Sequence, residues 1–399
     1  MTSASPAGFA SRRVLAIICC LVMFAYAVYF GAIGVLLPAI GAAFHVGPAI
    51  TGRLFPADLG GFVIGVFTSG TLSDRWGRKS VLGLGLFTAA VGMCLFALSS
   101  SLTAALVAAC LIGVGNGAME TVACAFASDL FPEKRAILLN LVQVAFGVGA
   151  SLGPSAAYWL LGNHVGWRAV YYGIAAGTML LFAFLAVQRC PKSDVSEAID
   201  TGALKEIVRR REFQMLCLAQ ALYVGAETGY FSWMPTYFQR TLPNGARWAG
   251  LCVTLFWMAI TIGRLTTGAL IGKIPLMRLT MLLALGGIVG SAITAIAPST
   301  AVALPGIVIT GLAFSGIFGL VLAEAADLYP LQVGTVFGGV VAAGGFGGAV
   351  IPWLIGIAGD SSAGWRTALC SIPAIMACLA LLCWGMNARV ARGAGGLGD

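Results

Sequence analysis

The chain is 399 residues long, 59 % hydrophobic and only 10 % charged, with a formal net charge of +8. A soluble domain of this length carries far more charge, so the composition excludes that class and points to a chain that crosses a bilayer many times. The basic excess gathers at the ends of the apolar stretches, which makes it a topology signal and leaves no nucleic-acid footprint.

Twelve apolar stretches run from Val14 to Met386. Each reaches the roughly 20 residues that a helix needs to cross the hydrocarbon core. They lack period-two alternation, so they are helices and not barrel strands; in lipid, only these two satisfy every backbone polar group. The expected fold class is an all-α membrane protein. The first-half spans are expected at 14–41, 51–72, 79–99, 102–127, 136–161 and 168–188, and those of the second half at 213–238, 248–271, 277–297, 300–324, 332–358 and 366–386.

Arg12 and Arg13 precede a first span too long, and too soon followed by others, to be a signal peptide. Tyr26 and Tyr29 stripe that span. The second carries Asp58 behind Pro56, where it balances Arg53 or takes a direct part in transport. It ends in Gly70-Thr-Leu-Ser-Asp-Arg-Trp-Gly-Arg-Lys79. There Gly77 permits a tight turn, Asp74 is placed to pair with a cation or a helix N-terminus, and Arg75, Arg78 and Lys79 are expected to anchor the loop and hold the halves together in one state. In the fourth span Glu120 lies nine residues before Asp129, near mid-membrane, with Asn116 one turn away. An ionisable residue at that depth is a functional candidate by default; the alternative is a protonated carboxyl hydrogen-bonded between helices. Gln143 in the fifth span joins the same polar set. Gly149-Ala-Ser-Leu-Gly153 matches a nucleophile-elbow pattern, yet it lies inside an apolar helix with no strand before it and no His nearby, so no enzyme is expected.

Segment 190–212 has mixed charges and the basic run Arg209-Arg210-Arg211, and reads as a cytoplasmic linker. In the seventh span Gln220, Tyr223, Glu227 and Tyr230 recur at helical spacing. Amide and carboxyl groups bond hydroxyls while aromatic rings stack on C–H faces, so this set suits a polar, hydroxyl-bearing solute; aromatic packing without a ligand is the alternative. Arg264 in the eighth span is expected to pair with Glu324 or Asp327, as a state-dependent gate or as a structural bridge. Eleven scattered cysteines form no C-x-x-C pair, so neither a disulfide frame, a metal site nor a cofactor is expected. His45 and His164 read as surface residues near loops.

The two halves repeat at a constant offset of 198 residues. The offset relates Gly70 to Gly268, Gly113 to Gly311, Asp129-Leu-Phe-Pro132 to Asp327-Leu-Tyr-Pro330, Pro154 to Pro352, and Gly166-Trp-Arg168 to Gly364-Trp-Arg366. Duplication at half the chain length predicts two pseudo-symmetric six-helix bundles, 1–189 and 213–399, joined by the linker. Lys and Arg divide as seventeen on one side, five on the other and Arg264 within a span, which places both termini in the cytoplasm.

The Gly70–Lys79 segment resembles the cytoplasmic-loop signature of the major facilitator superfamily. Within that superfamily, G-N-G-A-M-E-T (Gly115 to Thr121), L-Y-V-G-A-E-T (Leu222 to Thr228), F-W-M-A-I-T-I-G-R (Phe256 to Arg264) and G-G-F-G-G-A-V-I-P-W (Gly344 to Trp353) resemble the fucose–proton symporter group and its hexose-transporting relatives. The resemblance implies alternating access by a secondary transporter and a role for Glu120 in proton and sugar handling. The chain departs from that group at Cys124, where the motif continues to Asn, and has no first-span Asp, which leaves Glu227 as a second proton-coupling candidate. Gly149 to Pro154 also fits the G-x-x-x-G-P pattern of proton-driven exporters of drugs or metabolites. A membrane sensor or enzyme is the reading of another class. The expected partners are a small-molecule solute, H+ as coupling ion and the bilayer, with the protein monomeric in the plasma (inner) membrane.

Overall fold

The computed structural model describes residues 11–130, 135–189, 207–329 and 333–395, with some side chains, that of Asp74 among them, outside the description; residues 190–206 of the expected linker also lie outside it. Among the described residues the elements are helices joined by short turns and loops, apart from a single bridge between Ile271 and Ile274.

The first-half helices are Arg12–Ala43, Leu54–Trp76, Arg78–Leu98, Leu102–Leu130, Arg135–Gly162 and Trp167–Val187. The second half has Arg211–Thr241, Ala249–Leu270, Leu276–Ile296, Thr300–Phe314 with Ile317–Leu328, Val333–Asp360, and Gly364–Leu369 with Ser371–Gly395. The expected spans are found to within a few residues, except that the twelfth helix runs on to Gly395, nine residues past the expected end, and three are interrupted. A short helix, Pro48–Thr51, precedes the second span; the tenth breaks at Ser315-Gly316; the twelfth breaks at Cys370. Apolar runs do not show such breaks, because a one-residue change of backbone direction leaves hydropathy untouched.

Among the described residues, eleven helices are long and apolar enough to cross a membrane. The seventh-span helix Arg211–Thr241 is long enough but is not among them. Its polar stripe of Gln220, Tyr223, Glu227, Thr228, Tyr230 and Ser232 lowers its hydropathy. The helix least suited to lipid is the one richest in candidate site residues.

The chain forms two compact units, 1–45 with 57–197, and 46–56 with 198–399. Segment 46–56, assigned by the sequence to the first half, clusters with the second: the Ala49 amide donates to Asp360 Oδ2 at 3.4 Å, and Phe55 meets Trp233 edge-on at 5.9 Å. In the first unit the first and fifth spans approach closely at glycine. A Cβ on Gly31 would lie 2.5 Å from the carbonyl oxygen of Ala150. In the second unit Gly347 lies against the Ala221 carbonyl of the seventh span. Small residues there let helix backbones touch, which replaces the hydrophobic drive that lipid cannot supply. His45 and His164 take left-handed backbone conformations (φ 54° and 61°) just past the ends of the first and fifth spans.

Candidate solute and proton sites

In the first unit the two first-span tyrosines meet different neighbours. Tyr26 stacks on Phe62 at 6.2 Å and meets Phe146 edge-on at 5.5 Å, on the fifth span one turn beyond Gln143, which is partly buried. Tyr29 points elsewhere: its hydroxyl donates to Oδ1 of Asp58 at 3.1 Å, and its ring meets Tyr171 edge-on at 6.0 Å. Asp58 is only 8 % exposed. A carboxyl group that deep needs a hydrogen-bond partner, and the first-span phenol is it.

Asn116 is buried, and neither its amide nitrogen nor its amide oxygen has a partner among the described residues. Glu120, one turn on, is partly buried and makes no hydrogen bond among the described residues. Buried polar groups are nearly always satisfied, so the Asn116 amide is a place where a ligand or water can bond.

The second unit concentrates its chemistry on the seventh span. The Tyr223 hydroxyl lies 2.5 Å from Glu227 Oε1 and 2.9 Å from the carbonyl oxygen of Phe314. Tyr230 shares a 2.7 Å hydrogen bond with Thr294 Oγ1 and packs on Phe256 and Phe314. Gln220 is fully buried with both amide atoms unpartnered among the described residues, the second-unit parallel to Asn116. The charge of Arg264 acts on both Tyr223 and Glu227, a link that the expected pairing with Glu324 or Asp327 did not include. Glu324 in turn feels the like charge of exposed Asp327. Glu227 stands on the seventh span and Arg264 on the eighth, whereas the two acids lie beyond the tenth-span break.

The loop signature ties first-unit helices together. Gly77, at φ 84°, turns the chain into the third span. Arg78 donates from Nε to Asp129 Oδ2 at 3.0 Å and also to Ser73. Lys79 donates to the carbonyls of Ala186 and Gln188, where the sixth-span helix ends and its last carbonyls lack helical partners. Both cations are therefore used inside the first unit, because these acceptors are the near ones. Arg75 is exposed.

Two features escaped the sequence. Asp58 is not isolated with Arg53 but bonded to Tyr29; the sign available was a lone acid in a span beside one that carries a tyrosine at the same depth. Thr228, Ser232 and Thr236 are buried hydroxyls without partners among the described residues. Their four-residue spacing puts them on one face of the seventh span, a polar stripe visible in the sequence. A groove of about 450 Å³ between the first, fifth and sixth spans contains none of the predicted residues. Its walls, from Leu21 and Phe24 to Gly173 and Leu181, are apolar and suit lipid tails better than a polar solute. No cluster of metal-ligating side chains occurs among the described residues.

Comparison with known proteins agrees with this architecture. The glucose/mannose transporter GlcP of Bacillus subtilis is 25 % identical over 307 residues, which cover 74 % of this chain and 76 % of that protein. The cis,cis-muconate transport protein of Acinetobacter baylyi is 24 % identical over 335 residues, covering 80 % and 81 %. The crystal structure of the Escherichia coli fucose:proton symporter shares the fold, with a TM-score of 0.66 and 22 % identity over 94 % of this chain and 98 % of that one. The family model of the Major Facilitator Superfamily matches residues 18–332. The chain belongs to the Major Facilitator Superfamily: it is a multi-pass membrane transporter of small solutes, and not an enzyme.

Proposed function

We propose that the protein imports a small hydroxyl-bearing solute of sugar type by proton symport, through rocking of its two six-helix halves. The observation that carries the proposal is the pair of buried amides without partners among the described residues, Asn116 and Gln220, each one or two turns from a carboxyl group, Glu120 and Glu227. Amides offer both a donor and an acceptor to a hydroxyl, and the neighbouring tyrosines offer faces to C–H groups. The similarity to a glucose/mannose transporter over three-quarters of the chain supports the same substrate class. Glu120 is the proposed proton site, and Glu227 a second proton or solute site. Asp74, with Arg75, Arg78 and Lys79, would stabilise one closed state, and Arg264, Glu324 and Asp327 would form its counterpart. The protein would act as a monomer in the plasma membrane with both termini inside.

A second reading, a carboxylate solute, is favoured by Arg264, a cation within a span whose charge reaches the Glu227 site, and by the muconate-transporting relative. Proteoliposomes with an inward proton gradient separate the readings. Accumulation of labelled D-glucose that a protonophore abolishes supports the first. Accumulation of muconate but not glucose selects the second. Extrusion of preloaded solute under the same gradient would make the protein an exporter.

A further inference from the structure

The hydroxyl of Tyr223 stands between two acceptors, Glu227 Oε1 at 2.5 Å and the Phe314 carbonyl oxygen at 2.9 Å. A phenol has one hydrogen to donate, and a backbone carbonyl has none. With Glu227 ionised, both acceptors compete for that hydrogen, and the carboxylate is the stronger. With Glu227 protonated, the carboxyl donates to the phenol oxygen and the phenol hydrogen goes to Phe314. Only the protonated form satisfies all three oxygens. The contact between Tyr223 and Glu227 survives in both states, whereas the bond to Phe314 belongs to one.

Phe314 occupies a special position. It is the last residue of the helix Thr300–Phe314, and the tenth span resumes only at Ile317 after the Ser315-Gly316 turn. Carbonyls at a helix end have no partner within the helix. Tyr223 and Phe314 are both buried to within 2 %, so water does not stand in readily for a lost bond. Among the described residues, the charged group that acts on this pair from a neighbouring helix is Arg264 of the eighth span. On the same helix Tyr230 is engaged with Thr294 of the ninth span, and the tenth span presents the Phe314 ring and carbonyl. The eleventh span meets the seventh here through Gly344 and Gly347, and from the twelfth Cys383 interacts with Glu324.

We propose that Tyr223 is a positioning residue that relays the protonation of Glu227 to the break in the tenth span. The proton arrives on Glu227, the phenol hydrogen turns to Phe314, and the break is held. When the proton leaves, the phenol turns back to the carboxylate and the break is released beside an anion that Arg264 steadies. The relay rests on Glu227 being a proton site and adds the element that the proton governs.

Hydrogen–deuterium exchange of the purified full-length protein in nanodiscs tests the relay without measuring transport. After correction for the intrinsic pH dependence of exchange, wild-type amides around 315–320 should lose protection about three- to tenfold as pH rises through the ionisation of Glu227, the equivalent of one hydrogen bond. Glu227→Gln donates at every pH and should keep these amides protected and flat with pH. Tyr223→Phe should leave them unprotected throughout. The relay is overturned if Glu227→Gln shows the wild-type pH dependence, or if Tyr223→Phe remains protected. Should Tyr223→Phe fail to fold, the wild-type and Glu227→Gln comparison decides alone. If the exchange pattern holds while proton-driven uptake is absent, the transport reading fails and the relay stands.

Discussion

The two units are built on one repeated scaffold, yet they hold their polar chemistry differently. Tyr29 and Glu227 stand at equivalent repeat positions, 198 residues apart. In the first unit that position supplies a phenol, and the carboxyl comes from Asp58 on the next helix. In the second it supplies the carboxyl, and the phenol comes from Tyr223 one turn away on the same helix. The second-unit equivalents of Asp58 and Asn116 are Phe256 and Phe314, whose rings pack on Tyr230. The glycines, the prolines and the Gly-Trp-Arg turns repeat; the functional groups do not. Duplication preserved the parts that let helices touch and turn, while the two halves divided the chemistry between them.

The largest expected effect separates the two glutamates. Glu120→Gln imitates the protonated acid and should abolish gradient-driven accumulation while sparing solute exchange across the membrane. Accumulation at the wild-type level would move the proton path to the second unit. Next come the two orphaned amides. Asn116→Leu and Gln220→Leu should each weaken solute binding by about 10- to 100-fold, the loss of one or two buried hydrogen bonds, while thermal stability holds or rises because an unsatisfied group has gone. Unchanged affinity with a lower melting temperature would make both amides structural.

A smaller effect ranks the carboxyl–phenol pairs. Tyr29→Phe leaves Asp58 buried without its partner and should destabilise the protein by about 1–3 kcal/mol. Tyr223→Phe should cost less, because Arg264 still acts on Glu227. Equal losses in thermal melts would remove the distinction between the units. Least is expected at the loop: Lys79→Ala gives up a cation at a helix C-terminus, about 0.3–1 kcal/mol, and should slow turnover less than the loss of Asp74 does. Asp74→Asn should slow turnover without lowering the melting temperature, and normal turnover in that variant would detach the loop signature from the transport cycle.

Much of the fold was legible because lipid leaves the chain few choices. Long apolar runs in a bilayer must be helices, and the offset repeat declared the duplication. The site was legible in part. Gln220, Tyr223, Glu227 and Tyr230 could be placed on one helix by spacing, and the structure shows Tyr223 bonded to Glu227 while Tyr230 turns to Thr294. Tyr26 and Tyr29 look like one stripe in the sequence, but Tyr26 packs among phenylalanines and Tyr29 bonds Asp58. Residues three apart on a helix point some 60° apart, enough to meet different neighbours.

The sequence by itself determined the helical class, the number of spans, the internal repeat and the family, since each depends on composition and local order along the chain. The tertiary structure alone decided which polar groups meet. Asp58 with Tyr29 and Tyr223 with the Phe314 carbonyl are hydrogen bonds between different spans, joining residues 29 and 91 positions apart, and the charge of Arg264 reaches Glu227 from the next span. Hydrogen bonds form or fail over fractions of an ångström. Hydropathy constrains how deep a residue sits to within a turn, and it does not constrain the rotation of one helix against the next. Close backbone packing, as at Gly31 against the fifth span and at Gly347 against the seventh, is what constrains such rotation.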